Sequence, residues 1–105
     1  MELKHLSKDN FDQAVNAGED LVVVDFFATW CVPCKMLAPV VERMAEQFSD
    51  VHFYKVDIDE ELDLASRFQV MSVPTLLYMK RGQVVSKSVG LVSPADMEQE
   101  ISKAK

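Results

Sequence analysis

The sequence predicts an α/β domain, and two patterns along the chain support that class. Stretches in which apolar residues recur at helical spacing alternate with short apolar runs that are typical of strands. Near the carboxyl end, two strand-like runs are separated only by a short loop with Gly82, which predicts an antiparallel hairpin. The chain has 105 residues, of which 49% are hydrophobic, so we expect a single domain over residues 1–105 with a packed core.

The first elements follow from capping residues and apolar runs. Ser7 is expected to cap a helix that buries Phe11, and Gly18 is expected to close it. Residues 21–27 form an apolar run without alternation, which is typical of a central strand covered on both sides. Residues 34–48 keep apolar side chains at helical spacing and predict a long helix.

The later elements alternate in the same way. Residues 51–58 are interpreted as a strand and residues 64–68 as a short helix. Residues 75–79 and 84–89 form the two strands of the hairpin. Ser93, with a proline directly after it and an acidic residue three positions on, predicts the start of a last helix.

Charge and composition argue against several classes of function. The formal net charge of −6 argues against nucleic acid or an anionic membrane as the main partner. The first residues lack the apolar core of a secretory signal, and the apolar runs are too short to span a bilayer. A single cysteine pair without a disulfide framework is typical of a reducing compartment, so we expect a cytoplasmic protein.

The cysteine pair is the strongest functional signal. Cys31 and Cys34 are separated by two residues and lie where the central strand gives way to a helix, which brings their sulfurs within bonding reach. Cys31 lies at the start of that helix, where a thiolate is stabilised. This pattern predicts a redox motif, with a metal site and a pair of inert core thiols as alternatives. Zinc needs four ligands, and only His5 and His52 could complete the set, both remote in sequence. Lys35 stands where attachment of haem would need a histidine.

Two further residues stand out. Asp25 places a carboxyl group inside the apolar strand, so its pKa should rise; the alternative is an edge strand on which Asp25 meets solvent. Pro74 follows Val73 at the start of a strand, and from sequence alone that peptide bond is expected to be trans. The acidic residues between positions 57 and 63 are interpreted as a solvated face, because they lack the glycine and spacing of a calcium site.

Residues 24–35 read Val-Asp-Phe-Phe-Ala-Thr-Trp-Cys-Val-Pro-Cys-Lys and resemble the active-site stretch of thioredoxins. Residues 55–57, residues 73–75, Gly82 and residues 89–90 match the same family at suitable distances, so the resemblance covers the whole chain. It implies the thioredoxin fold, a central mixed five-stranded sheet flanked by four helices. It also implies a thiol–disulfide oxidoreductase that reduces disulfides in client proteins by dithiol–disulfide exchange.

The resemblance assigns roles to four residues near the motif. Cys31 is expected to be the nucleophile, and Cys34, one turn into the helix, the more buried resolving thiol. Asp25 would accept the proton of Cys34 through water, with Lys55 as its charge partner. Without the resemblance, Lys55 would be interpreted as an ordinary surface lysine.

The resemblance also implies a docking surface for clients. Pro74 would be cis, which would leave the backbone of Val73 free to pair with an extended segment. The surface around Cys31 would be formed by Trp30, Val32, Pro33, Met71, Val73, Gly90 and Leu91. For Met71 and Leu91, ordinary packing is an equal alternative.

The expected partners are disulfide-bearing clients and a thioredoxin reductase, either a flavoprotein or a ferredoxin-linked enzyme. We expect a monomer with no metal and no bound cofactor apart from the Cys31–Cys34 pair. The sequence departs from the family at Val32, where glycine is usual, at Phe27, where tryptophan is common, and at Met71, where a basic residue is frequent. Because the residues between the cysteines tune the reduction potential and Val32 is atypical, an oxidase or isomerase is one alternative function. A non-catalytic interaction subunit that only uses the fold is another.

Overall fold

A computed structural model describes residues 2–105 and contains one five-stranded sheet with four helices. The predicted fold class is confirmed. In chain order the elements are β1 (Lys4–His5), α1 (Phe11–Val15), β2 (Val22–Phe27), α2 (Val32–Gln47), β3 (His52–Asp57), α3 (Leu62–Arg67), β4 (Thr75–Lys80), β5 (Gln83–Val89) and α4 (Pro94–Ala104).

The strand order is β1-β3-β2-β4-β5, so β2 is the central strand. It pairs in parallel with β3 and antiparallel with β4, and β4 continues into the antiparallel hairpin with β5. All six residues of β2 are buried, as the unbroken apolar run predicts. The carboxyl end of β2 therefore meets the amino end of β4.

Helices cover both faces of the sheet. On one face Val23 of β2 packs in a cluster with Leu37 of α2 and Ile101 of α4. On the other face Val22 packs in a cluster with Phe11 of α1 and residues from α3. Side chains alternate along a strand, so Asp25 shares the face of Val23 and lies on the side covered by α2.

The start of α1 corrects one prediction. The helix begins at Phe11 with Asn10 as its N-cap residue, and Ser7 lies in the preceding turn. The Ser7 hydroxyl accepts the Asp9 backbone N–H at 3.3 Å, and the Asn10 side chain accepts the Ser7 backbone N–H at 2.8 Å, so the two residues close the turn that precedes the helix. The helix ends at Val15, so Gly18, with a φ of 65°, belongs to the loop that follows.

The first strand was not identified from the residue pattern. β1 has only two residues, Lys4 and His5, and both are exposed, so it shows no apolar alternation. Its neighbours Leu3 and Leu6 are buried, and the Leu6 backbone N–H donates to the Lys55 carbonyl at 2.8 Å. Pairing with β3, which a sequence pattern does not reveal, makes this segment a strand.

The predicted start of the last helix is confirmed. The Ser93 hydroxyl accepts a hydrogen bond from the Asp96 backbone N–H at 3.1 Å, and Pro94 is in the first turn. The hairpin turn between β4 and β5 contains Arg81 and Gly82, whose φ angles are 54° and 76°. Within residues 2–105, none of the helices is both long enough and apolar enough to span a membrane.

Candidate active site

The helix that carries both cysteines begins where β2 ends. Cys31 is the N-cap residue of α2, and its Sγ accepts the Cys34 backbone N–H at 3.2 Å. Pro33 lies in the first turn, where a backbone N–H has no partner within the helix, so the missing N–H of proline costs no hydrogen bond. Cys31 and Cys34 form a disulfide, with Cα atoms 5.2 Å apart. After reduction, the Cys31 sulfur would lie at the positive end of the helix dipole, which stabilises a thiolate.

The burial of the two cysteines differs from what we expected. Cys34 should be the more buried residue, yet both are 4% exposed in the oxidised protein. Cys31 is covered because it packs in one cluster with Ala28, Cys34 and, from the loop before β4, Val73. The position of Cys31 along α2 does not by itself reveal that this loop covers it.

Asp25 lies in the middle of the central strand and is 1% exposed. The edge-strand alternative is wrong, since β3 and β4 flank β2 on both sides. Burial raises the pKa of Asp25 to about 7, and the positive charge of Lys55 offsets only part of that rise. The carboxyl oxygen Oδ1 has no hydrogen-bond partner among the described residues. Asp25 is thus a group that can take up and release a proton near neutral pH.

Lys55 is the register partner of Asp25 on β3, so both side chains lie on the α2 side of the sheet. The Lys55 Nζ lies 4.3 Å from the centre of the Phe27 ring, in a cation–π contact. A cavity of about 230 Å³ lies beside these residues, and its wall includes Cys34 and Ala38. No ion pair within 4.0 Å joins Lys55 to Asp25. Lys55 acts on the Asp25 carboxyl group as a nearby positive charge, which lowers its pKa.

The loop before β4 approaches the disulfide. The Val73–Pro74 peptide bond is cis, as the resemblance implies and contrary to the expectation from sequence alone. The Val73 carbonyl oxygen lies 3.7 Å from the Cys31 Sγ. The Pro74 carbonyl accepts the Gly90 backbone N–H at 2.8 Å, which brings the end of β5 to the same loop.

Several apolar side chains surround this region and are exposed. Trp30, Val32, Met71 and Leu91 are large hydrophobic residues that face solvent. For Met71 and Leu91, the alternative of ordinary packing is wrong. Several exposed apolar side chains around a reactive group are typical of a binding site for another protein.

Sequence reasoning missed two acidic residues at this edge of the sheet. The Trp30 indole N–H donates to the Asp59 carboxylate at 2.9 Å. Asp57 is not on a solvated face: it is buried, and its carboxylate accepts the backbone N–H groups of Asp59 and Glu60. The carboxyl ends of parallel strands meet at one edge, so the position of Asp59 just after β3 was the available signal.

Within residues 2–105, no group of three His, Cys, Asp or Glu side chains is placed to hold a metal ion. Cys31 and Cys34 are joined by a disulfide, His5 lies on β1 with its ring against Phe27, and His52 lies on β3. A disulfide at the start of a helix supports exchange between a dithiol and a disulfide.

Comparison with known proteins agrees with the geometry. A sequence model of the thioredoxin family matches residues 2–103. The chain is 51% identical over 96 residues to Thioredoxin-2 of Saccharomyces cerevisiae, covering 91% of each protein. It is 40% identical over 104 residues to a thioredoxin of Staphylococcus saprophyticus, covering 98% of each.

Solved structures show the same likeness. A mutant thioredoxin from Halobacterium salinarum superposes with a TM-score of 0.89 at 38% identity, covering 98% of this chain and 89% of the other. Sequence and structure agree over nearly the whole length, including the segment that bears the cysteine pair. The chain belongs to the thioredoxin family of thiol–disulfide oxidoreductases.

Proposed function

We propose that Cys31 is the nucleophile and Cys34 the resolving thiol of a protein-disulfide reductase. The observation that carries this proposal is the position of Cys31 as the N-cap of α2, with the Cys34 N–H directed at its sulfur. The Cys31 thiolate attacks one sulfur of a client disulfide, that bond breaks, and a mixed disulfide forms while the other client sulfur leaves. Cys34 then attacks the Cys31 sulfur, which releases the second client thiol and regenerates the bond between the two cysteines.

Asp25 is proposed as the proton acceptor for the resolving step. Cys34 must lose its proton before it attacks, because the thiolate is the reactive form. A carboxyl group with a pKa of about 7 can accept that proton near neutral pH. Cys34 and Lys55 line the same cavity on the α2 side of the sheet, and the proton would pass from Cys34 to Asp25 through water. The positive charge of Lys55 lowers the pKa of Asp25, so that a fraction of the carboxyl groups would be ionised near neutral pH and free to accept the proton.

Clients are proposed to bind in extended form beside the disulfide. Val73 precedes β4, outside the ladder, so its backbone can pair with an added strand. The exposed side chains of Trp30, Val32 and Leu91, with Pro33, Met71 and Gly90, would cover the apolar residues that flank the client's cysteines. Backbone pairing would give affinity for many sequences, and the apolar contacts would add preference.

Thioredoxins carry no bound cofactor, and the Cys31–Cys34 pair alone carries the electrons. The family works with a thioredoxin reductase and with client proteins. We propose that a flavoprotein or ferredoxin-linked reductase reduces this disulfide, and that the protein is a monomeric single domain that acts in the cytoplasm. A reducing compartment would keep the dithiol available for the next client.

Trapping of a client tests the assignment of the two thiols. Cys34→Ser should form a stable mixed disulfide with a protein client, since the resolving thiol is lost. Cys31→Ser should form none, since the attacking thiol is lost. Mass spectrometry of both variants after mixing with insulin measures this, and adducts only with Cys31→Ser would reverse the roles.

The reduction potential of the parent distinguishes a reductase from an oxidase, whose potential is higher by more than about 100 mV.

A further inference from the structure

We propose that Met71 is a site of reversible oxidation to methionine sulfoxide, and that the sulfoxide weakens the docking of protein clients beside Cys31. The proposal rests on the function proposed above, in which clients bind at the apolar surface around the disulfide. It adds a chemical modification and a consequence for that binding step.

Exposure separates Met71 from the other described methionines. Met71 is 95% exposed and Met36 is 58% exposed, whereas Met44, Met79 and Met97 are at most 2% exposed. An oxidant must reach the thioether sulfur, which the packed core prevents for the last three. Met71 should therefore react first, Met36 second, and the core methionines only when the protein opens.

The loop that carries Met71 is held next to the disulfide. Two residues after Met71, the Val73 carbonyl oxygen lies 3.7 Å from the Cys31 Sγ. The Ser72 carbonyl accepts the Thr75 hydroxyl at 2.7 Å, which fastens the loop to the start of β4. Met71 thus lies in a loop whose backbone at Val73 is held beside the disulfide. At position 71, where a basic residue is frequent in the family, this chain has the oxidisable sulfur of a methionine.

The reaction is a two-electron oxidation by a peroxide. The peroxide O–O bond breaks, one oxygen bonds to the Met71 sulfur, and the peroxide is reduced to water or an alcohol. The side chain changes from a flexible apolar group to a polar one with a strong acceptor oxygen. Methionine sulfoxide reductases reverse the change and make the modification reversible.

The sulfoxide should act on binding rather than on chemistry. A client that docks on Met71 would have to bury the new oxygen without a donor in the apolar surface, which costs free energy. We expect KM for a protein client to rise roughly 3- to 10-fold with kcat little changed. A small disulfide that needs no docking surface, such as cystine, should be reduced as before.

The experiment uses the full chain in its disulfide form, so that both cysteines are protected from peroxide. Hydrogen peroxide is added, and peptide mass mapping follows oxygen uptake at each methionine. KM and kcat are then measured with insulin and with cystine, before and after treatment with methionine sulfoxide reductases. The expected result is uptake at Met71 first, a higher KM for insulin only, and recovery after reduction.

Two variants identify the methionine responsible, each compared with its own untreated sample. Treated Met36→Leu should still show the rise in KM for insulin, and treated Met71→Leu should not. Slow oxidation of Met71, at the rate of Met44, would overturn the proposal. So would a rise that persists in Met71→Leu or an equal loss with cystine. If Cys34→Ser traps insulin but complete oxidation of Met71 leaves KM unchanged, this inference fails while the proposed function stands.

Discussion

Replacing Asp25 with asparagine should stabilise the oxidised protein, and by more as the pH rises. The pKa of Asp25 is raised from 3.8 to about 7 by burial. Between these two values the folded protein holds a proton that the unfolded chain has released, so the parent loses stability as pH rises through this window. Above pH 7 the loss levels off, because both states are then ionised.

The magnitude follows from the separation of the two pKa values. A separation of about 3 pH units corresponds to about 4 kcal/mol, lost mostly between about pH 4 and about pH 7. Asparagine has no proton to release, so Asp25→Asn avoids this loss. Its buried amide costs about 1–3 kcal/mol if it stays unpaired, but that cost is the same at every pH.

Urea unfolding at about pH 4 and about pH 8 separates the cost of ionising Asp25, which depends on pH, from the cost of burying the amide, which does not. The difference in unfolding free energy between Asp25→Asn and the parent should increase by about 3–4 kcal/mol between these conditions. Asp9→Asn, which changes an exposed carboxylate, is the control and should give nearly the same difference at both.

A stability difference for Asp25→Asn that does not depend on pH would refute the reasoning. It would mean that the ionised carboxylate is satisfied inside the folded protein, contrary to its burial without a partner for Oδ1. The same variant should reduce insulin more slowly, because Cys34 loses its proton acceptor. Greater stability together with unchanged turnover would leave the burial argument intact and remove the proposed role in proton transfer.

Two further predictions concern Val32 and Asp57. Val32→Gly removes a β-branched side chain between the two cysteines, and we expect the reduction potential to shift by tens of millivolts, where ~30 mV corresponds to ~1.4 kcal/mol. Equilibration with glutathione measures the shift, and identical potentials would show that Val32 has no influence. Asp57→Ala leaves the N–H groups of Asp59 and Glu60 without their acceptor and should cost about 1–3 kcal/mol of unfolding free energy. The emission of Trp30, the single tryptophan, should change with it because Asp59 holds the indole, and an unchanged spectrum would argue against that link.

The elements with strong local signals were predictable. An apolar run of strand length is stable only between covered faces, so the run at residues 21–27 predicts a central strand, and β2 (Val22–Phe27) confirms it. Asp25 was conspicuous for the same reason, since a carboxyl group in such a run is costly. The cysteine spacing and the cap at Ser93 also depend on near neighbours in the chain.

The features that sequence did not reveal depend on contacts between distant segments. β1 is a strand only because it pairs with β3, and its two exposed residues carry no pattern of their own. Cys31 is as buried as Cys34 because Val73, 42 positions away, packs on it. The hydrogen bond from Trp30 to Asp59 likewise joins two loops that meet only when β2 and β3 align.

The central position of β2 has a consequence for cleavage of the backbone. Its two neighbours, β3 and β4, are separated in the chain by helix α3 and by the loop of residues 58–61 that precedes it. A protease cut in that loop would leave Cys31 and Cys34 on one fragment and the Val73 carbonyl on the other. Neither fragment alone would hold a complete site. Activity would return only when the fragments reassociate along the ladder between β2 and β4, so recovery would depend on fragment concentration.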